Sequence, residues 1–78
     1  MPSDLPDWLI AQRVQVGHRI RDLRIQRGLS QEQLAHEAGI ARHTVYRTEL
    51  ATHSASLDAL GLIAETLGVP LWRLFRDE

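Results

Sequence analysis

The sequence predicts an all-α protein, a compact domain of five helices within 78 residues. Apolar residues recur at spacings of three and four, as on one face of a helix, and no stretch alternates between apolar and polar residues as a half-buried strand would. Capping residues and glycines separate these stretches and mark where helices begin and end. The boundaries place the helices at about residues 7–27, 31–38, 41–50, 57–67 and 70–76.

The first helix extends the domain at its N-terminus. Residues 1–6 contain two of the three prolines, so we expect a frayed segment there and a single domain over residues 7–78. Gly28 ends the helix, because glycine adopts the left-handed conformation after a last helical turn at little cost. The apolar stripe of this helix is Leu9, Val16, Ile20 and Leu23, with Ile10, Val14 and Gly17 beside it.

The second helix begins with a capping box. The Ser30 side chain can accept a hydrogen bond from the amide three residues on, and the Gln33 side chain can reach back to the serine amide. Gly39 ends this helix, and the third helix runs from about Ala41.

These two helices have the spacing of a known two-helix motif. When Gln31 is counted as the first residue, Ala35 is the fifth, Gly39 the ninth and Val45 the fifteenth. A small residue at the fifth place lets the helices cross closely, a glycine at the ninth makes the turn, and a branched apolar residue at the fifteenth packs inside. The pattern is typical of a helix-turn-helix, which reads DNA. Taken alone, it also fits an ordinary corner between two helices of a small bundle.

The last two helices follow a polar connection. Ser56 caps the fourth helix, Gly68 closes it, and Pro70 fits the first turn of a short fifth helix. The expected buried face of the fourth helix is Leu57, Leu60, Ile63, Ala64 and Leu67.

The composition excludes several classes of function. Without cysteine the chain has neither disulfides nor a thiolate zinc site, and the four histidines show no ligand spacing, so we expect no metal and no cofactor. No nucleophile elbow, glycine-rich phosphate loop or paired acids point to catalysis, so we expect no enzyme. The sequence lacks a signal-peptide pattern and an apolar run near the roughly 20 residues of a membrane span, so we expect a cytoplasmic protein.

Positive charge is concentrated in one part of the chain. The formal net charge is −1, and all nine basic residues are arginines. Seven arginines and three acids lie between positions 13 and 47, a local balance of +4. Such an asymmetry suits a positive face on a nearly neutral body, although solvated arginines on helix surfaces would give the same count.

An ordered set of motifs resembles the phage-repressor/Cro type (XRE-like) of helix-turn-helix transcriptional regulator. The match extends over about residues 16 to 74. The resemblance implies a compact five-helix domain, commonly dimeric, whose third helix enters the major groove of double-stranded DNA. The motifs are Ile20-Arg21-Asp22-Leu23-Arg24, Gly28-Leu29-Ser30-Gln31-Glu32-Gln33-Leu34-Ala35, Gly39-Ile40, Glu49, Leu57-Asp58-Ala59-Leu60 and Ile63-Ala64-Glu65-Thr66-Leu67-Gly68-Val69.

The resemblance also implies roles for individual residues. It pairs Arg24 with Glu49 in a buried ion pair between the first and third helices. Helical geometry agrees with an outward, DNA-facing side of the third helix, because its apolar residues point the opposite way. The base contacts implied are Arg42, His43 and Arg47. The backbone contacts expected are Gln31, Thr44, Tyr46 and Arg27.

The sequence departs from the family pattern around the third helix. Ala41 replaces the usual capping hydroxyl, and Thr48 stands where an apolar residue is commoner. Leu50 and Ala51 replace a glycine that often follows Glu49, so the third helix runs on or the connection takes another shape. The connection contains no lysine or arginine, which puts its phosphate contacts in doubt.

The chain has more apolar residues near its ends than a five-helix core needs. We therefore expect a homodimer on a two-half-site operator, with Leu71, Trp72, Phe75 and Trp8 in a self-complementary patch and Leu5 as the alternative to Trp8. The alternative is a protein-interaction module of the same fold, such as the antitoxin that binds a toxin.

Overall fold

The computed structural model describes residues 5–76. They form four α-helices and a terminal 3-10 helix: α1 (Asp7–Gln26), α2 (Gln31–Ala38), α3 (Arg42–Leu50), α4 (Leu57–Leu67) and the 3-10 helix Leu71–Leu74. This part of the chain has no strand, in agreement with the predicted all-α class. Residues 1–4 of the predicted frayed segment, and residues 77 and 78 of the predicted domain, lie outside the described residues.

The prediction of a fifth α-helix at residues 70–76 is wrong. The chain makes a 3-10 helix of four residues there, in which the Arg73 amide donates to the Pro70 carbonyl at 3.0 Å and the Phe75 amide to the Trp72 carbonyl at 2.9 Å. Bonds between residues three apart close within so short a segment, whereas an α-helix of this length would leave most of its end groups unpaired. Leu74 is fully buried and fixes the turn to the core.

The predicted helix caps are confirmed. The Ser30 hydroxyl accepts from the Gln33 amide at 3.0 Å, and Gln33 Oε1 accepts from the Ser30 amide at 2.8 Å, which completes the capping box. The Ser56 hydroxyl accepts from the Ala59 amide at 3.0 Å at the start of α4. Ala41, at the start of α3, provides no side-chain cap.

The core lies where all the helices meet. The predicted stripe of α1 contributes Val16, Ile20 and Leu23, all buried. The prediction that Leu57 belongs to the buried face of α4 is wrong, since its side chain is 66% exposed. Leu57 is the first residue of α4 and lies at the edge of the buried stripe. The other core members are Leu34, Ala35, Val45, Leu60, Ile63, Ala64, Leu67 and Leu74.

A glycine in α1 determines how closely α3 approaches. A Cβ atom at Gly17 would lie 2.6 Å from the Thr48 carbonyl oxygen and 2.7 Å from the Glu49 carbonyl oxygen. No side chain fits at that separation, so α1 and α3 cross with their backbones nearly in contact. Sequence analysis placed Gly17 only beside the apolar stripe and missed this role.

No helix within residues 5–76 is both long and apolar enough to cross a membrane.

Candidate nucleic-acid interface

The turn between α2 and α3 orients the two helices. Gly39 has φ 74° and ψ 31°, a left-handed conformation that costs glycine little. The Ile40 amide donates to the Ala35 carbonyl at 3.0 Å, which closes the turn. Ala35 is buried at the helix crossing, and Val45 is fully buried beneath α3. All three places of the helix-turn-helix spacing therefore have the environment that the sequence predicts.

The two sides of α3 differ sharply in exposure. Val45, Thr48 and Glu49 are buried. Four residues of the opposite side are exposed, and three of them are the predicted base contacts: Arg42, His43, Tyr46 and Arg47. The helix thus presents long polar side chains to solvent from a backbone that is fixed on its inner side.

Two clefts flank this exposed row. The first, the α2–α3 cleft, has a volume of about 360 Å³ and is lined by Gln31, Arg42, His43 and Tyr46. In this cleft Gln31, which is predicted to contact the DNA backbone, lies beside Arg42 and His43, which are predicted to contact bases. The second, the connection cleft, has a volume of about 190 Å³ and lies between α3 and residues 51–56. Its lining includes His43, Thr44, Arg47, His53, Ser54 and Ser56.

Arg27 lies apart from both clefts. A Cβ atom at Gly68 would be 3.8 Å from Arg27 Nη2, so the guanidinium is beside the C-terminal end of α4. A cation in that position interacts favourably with the helix dipole. The structure therefore does not bring Arg27 to the other predicted DNA contacts.

Arg24 and Glu49 form a hydrogen-bonded ion pair between α1 and α3. Arg24 Nε donates to Glu49 Oε2 at 2.7 Å, and Arg24 Nη2 donates to Glu49 Oε1 at 3.0 Å. The two side chains are 12% and 3% exposed. Arg24 Nη1 also donates to the Leu29 carbonyl at 2.9 Å, in the link between α1 and α2. The hydrogen bond with Glu49 raises the pKa of Arg24, although burial acts in the opposite direction.

Gln31 joins the same network, a link that sequence analysis missed. Its Nε2 donates to Glu49 Oε1 at 3.0 Å. A side-chain amide carries two N–H donors, so one remains for another acceptor. Glu49 therefore ties α1, α2 and α3 together and also orients the side chain predicted to contact DNA phosphate.

The end of α3 decides between the two expected outcomes, and the connection takes another shape. The helix does not run on, because Leu50 is its last residue and Ala51 takes a left-handed conformation with φ 60°. Within residues 5–76, Ala51 is the one residue other than glycine with positive φ. The Thr48 hydroxyl, unusual at its place, donates to the Thr44 carbonyl at 2.6 Å and is thereby satisfied inside the domain.

The residues predicted for a dimer interface do not line one cavity. Leu71 lines a groove of about 750 Å³ along α4, together with Leu57, Gly61 and Leu62. Phe75 lines a separate pocket of about 210 Å³ beside Leu9 on α1. Trp8 is 70% exposed and Trp72 is 49% exposed. Each of the four side chains, Leu71, Trp72, Phe75 and Trp8, is at least partly exposed to solvent.

Histidine and acidic side chains do not converge on a metal site in the described part of the chain. No group of three such residues within residues 5–76 could hold an ion. The exposed row on α3 consists of hydrogen-bonding and cationic side chains.

α2 and α3 form a tight two-helix unit, and α3 presents an exposed polar face. This arrangement defines a helix-turn-helix protein. The sequence profile described as helix-turn-helix matches residues 20–71. The chain belongs to this family.

Individual relatives agree with the family. The chain is 37% identical over 59 residues to the cryptic phage CTXphi transcriptional repressor RstR of Vibrio cholerae, a match covering 76% of this chain and 53% of the repressor. It thus spans about half the length of this curated relative. The resemblance to helix-turn-helix regulators of the phage-repressor type is confirmed.

Two solved structures share the fold. The restriction-modification controller protein C.AhdI from Aeromonas hydrophila matches with TM-score 0.80 and 37% identity, covering 83% of this chain and 98% of that one. A hypothetical transcription factor from Neisseria, NHTF, matches with TM-score 0.81 and 30% identity, covering 97% of this chain and 86% of that one.

Proposed function

We propose that the chain is a sequence-specific DNA-binding regulator that inserts α3 into the major groove and acts as a homodimer on a two-half-site operator. The observation that carries the proposal is the division of α3 into a buried inner side and an exposed row of Arg42, His43, Tyr46 and Arg47. The names of the similar proteins, a phage repressor, a controller protein and a transcription factor, agree with a role in regulating transcription.

Arg42, His43 and Arg47 are the proposed base contacts. An arginine can donate two hydrogen bonds to O6 and N7 of one guanine, worth about 1–3 kcal/mol of discrimination. Histidine can donate to a purine N7. The support for these assignments is their exposure along one side of a helix whose other side is fixed in the core.

Gln31, Thr44, Tyr46 and Arg27 are the proposed phosphate contacts. Gln31 has the strongest support, because it lies at the start of α2, where free amides favour phosphate, and one of its N–H groups is held by Glu49. Arg27 has the weakest support, since its guanidinium is beside Gly68.

The proposed homodimer uses a second copy of the chain as the partner of Trp72, Leu71, Phe75 and Trp8. One domain reads only a few base pairs, whereas two copies related by a two-fold axis read half-sites about 34 Å apart. Exposed aromatic side chains at the two ends of the domain support this assignment.

Selection of bound fragments from random DNA tests the proposal. We expect enrichment of one sequence in two inverted copies, with affinity that falls steeply as salt increases. Failure to enrich any sequence, together with co-purification of a second protein, would instead support the protein-interaction module.

A further inference from the structure

The pocket that contains Phe75 lies between the first half of α1, the connection between α3 and α4, and the end of the 3-10 helix. We call it the α1 pocket. None of the residues predicted to contact DNA lines it, so the proposed function does not account for it. Its apolar wall consists of Leu9, Val16, Ala55, Leu60 and Phe75.

The side-chain amide of Gln12 is buried at this pocket without a hydrogen-bond partner. Gln12 lines the pocket, and its Nε2 atom has no acceptor among the described residues 5–76. A buried N–H group without an acceptor destabilises a fold, and nearly all such groups in folded proteins are paired. Gln12 therefore offers a hydrogen-bond donor that the described part of the domain does not use.

Arg13 brings positive charge to the same pocket. It follows Gln12 in the chain, is half-buried and lines the pocket. No carboxylate lines the pocket within residues 5–76, and Arg13 forms no ion pair with a residue of that range. Because a guanidinium binds a carboxylate through two parallel hydrogen bonds, the polar side of the pocket suits a carboxylate ligand.

The volume of the pocket limits the size of this ligand. An apolar protein cavity of about 150 Å³ holds one benzene molecule, whereas pockets for drug-sized ligands have about 300–1,000 Å³. The α1 pocket, with about 210 Å³, lies between these sizes. It therefore has room for one ring with a short substituent.

We propose that the α1 pocket binds a small carboxylate with a compact apolar body, of the size of phenylacetate. The carboxylate accepts hydrogen bonds from Gln12 Nε2 and from the Arg13 guanidinium. The apolar body packs between Leu9 of α1 and Leu60 of α4, beside the Phe75 ring. This inference goes beyond the proposed function, because it assigns a ligand to a cavity that DNA does not need.

Titration of the full chain with phenylacetate, followed by amide resonances, tests the site without DNA. We expect saturable shifts of the Gln12 side-chain amide and of the backbone amides of residues 53–55, which line the pocket. Phenylacetamide has the same ring but no charge. It should bind about ten-fold more weakly, because hydrogen bonds to an ionised acceptor are stronger.

Two variants assign the contacts. Gln12→Met removes the donor and keeps the bulk of the side chain, so it should weaken phenylacetate binding about ten-fold without unfolding the domain. Arg13→Gln should abolish the preference for phenylacetate over phenylacetamide. The matched controls are Gln15→Met and Arg21→Gln, which change exposed residues of α1 outside the pocket and should bind as the wild type does.

Three results would overturn the site. The first is the absence of saturable shifts at millimolar phenylacetate, and the second is binding that Gln12→Met and Arg13→Gln leave unchanged. The third is a set of shifts confined to the exposed row of α3, which would mean that the anion binds the arginines there. A wild-type protein that binds phenylacetate in the pocket but prefers no DNA sequence would overturn the proposed function and leave the ligand site intact.

Discussion

At the scale of single residues, Arg47 and Gln31 are expected to contribute to DNA binding in different ways. Arg47 is exposed in the row on α3, whereas Gln31 is at the start of α2 and bonded to Glu49. We predict that Arg47→Ala loses about 1–3 kcal/mol of discrimination at one base pair, while Gln31→Ala weakens binding to all sequences alike. Site selection with each variant measures both effects, and Arg21→Ala, an exposed arginine on α1, controls for lost charge. An unchanged ranking of sites for Arg47→Ala would show that Arg47 reads no base.

Ala51 is the second residue with a testable local effect. Its φ of 60° is unfavourable for any residue with a Cβ, by about 1–2 kcal/mol. Glycine removes that cost but also makes the unfolded chain more flexible, so we predict that Ala51→Gly stabilises the domain by about 0.5–1 kcal/mol. Ala55→Gly, in the same connection and without positive φ, should destabilise it. Thermal melting compares the two variants, and equal losses would contradict the assigned strain.

At the scale of helices, Gly17 and Gly61 form a matched pair. Both are inside helices, but a Cβ at Gly17 would meet two carbonyl oxygens of α3, whereas a Cβ at Gly61 would meet nothing within 4 Å. We predict that Gly17→Ala costs about 1–3 kcal/mol by forcing α1 and α3 apart. Gly61→Ala should raise the free energy of unfolding by up to about 1 kcal/mol, because alanine has a higher helix propensity than glycine.

Denaturant midpoints at low protein concentration, where association does not contribute, measure both glycine substitutions. A Gly17→Ala protein as stable as the wild type would mean that the two helices separate without cost.

Glu49 connects three helices, so its removal is also a prediction about elements. Glu49→Ala leaves Arg24 buried without its carboxylate, and we predict a loss of about 3–5 kcal/mol in the free energy of unfolding. The raised pKa of Arg24 keeps its guanidinium charged throughout the neutral range, and the contribution of that charge is lost only as pH rises from the ordinary pKa of arginine through the raised value. The effect of Arg24 should therefore be the same across the neutral range.

The double variant Arg24→Met with Glu49→Leu is the control for this prediction. It removes both charges and keeps apolar bulk, so it should lose much less stability than Glu49→Ala. If the single substitution lowers the melting temperature by only a degree or two, the pair does not hold the helices together.

At the scale of the whole molecule, the prediction concerns association. We expect the wild type to sediment as a dimer at micromolar concentration and Trp72→Ala to sediment as a monomer with much weaker operator binding and an intact helical fold. Ile25→Ala, an exposed apolar residue on α1, is the control and should remain dimeric. A monomeric wild type that still protects a two-half-site operator without cooperativity would remove the case for this interface.

The sequence by itself determined the all-α class, the caps at Ser30 and Ser56, the turn at Gly39 and the family. The family rests on ordered motifs over about residues 16 to 74, whereas the class, the caps and the turn depend on residues within a few positions of one another, so their physical causes are visible in a local stretch of sequence. The exposed row on α3 follows from the same local periodicity.

Only the tertiary structure decided the remaining features. The close crossing at Gly17, the bond from Gln31 to Glu49 and the convergence of His53 with Arg47 join segments that are separate in sequence. The left-handed Ala51 is a further case, because local preference would place glycine there and the connection between α3 and α4 overrides it. Such features depend on how the helices pack, and helix packing is set by the whole core rather than by any one stretch.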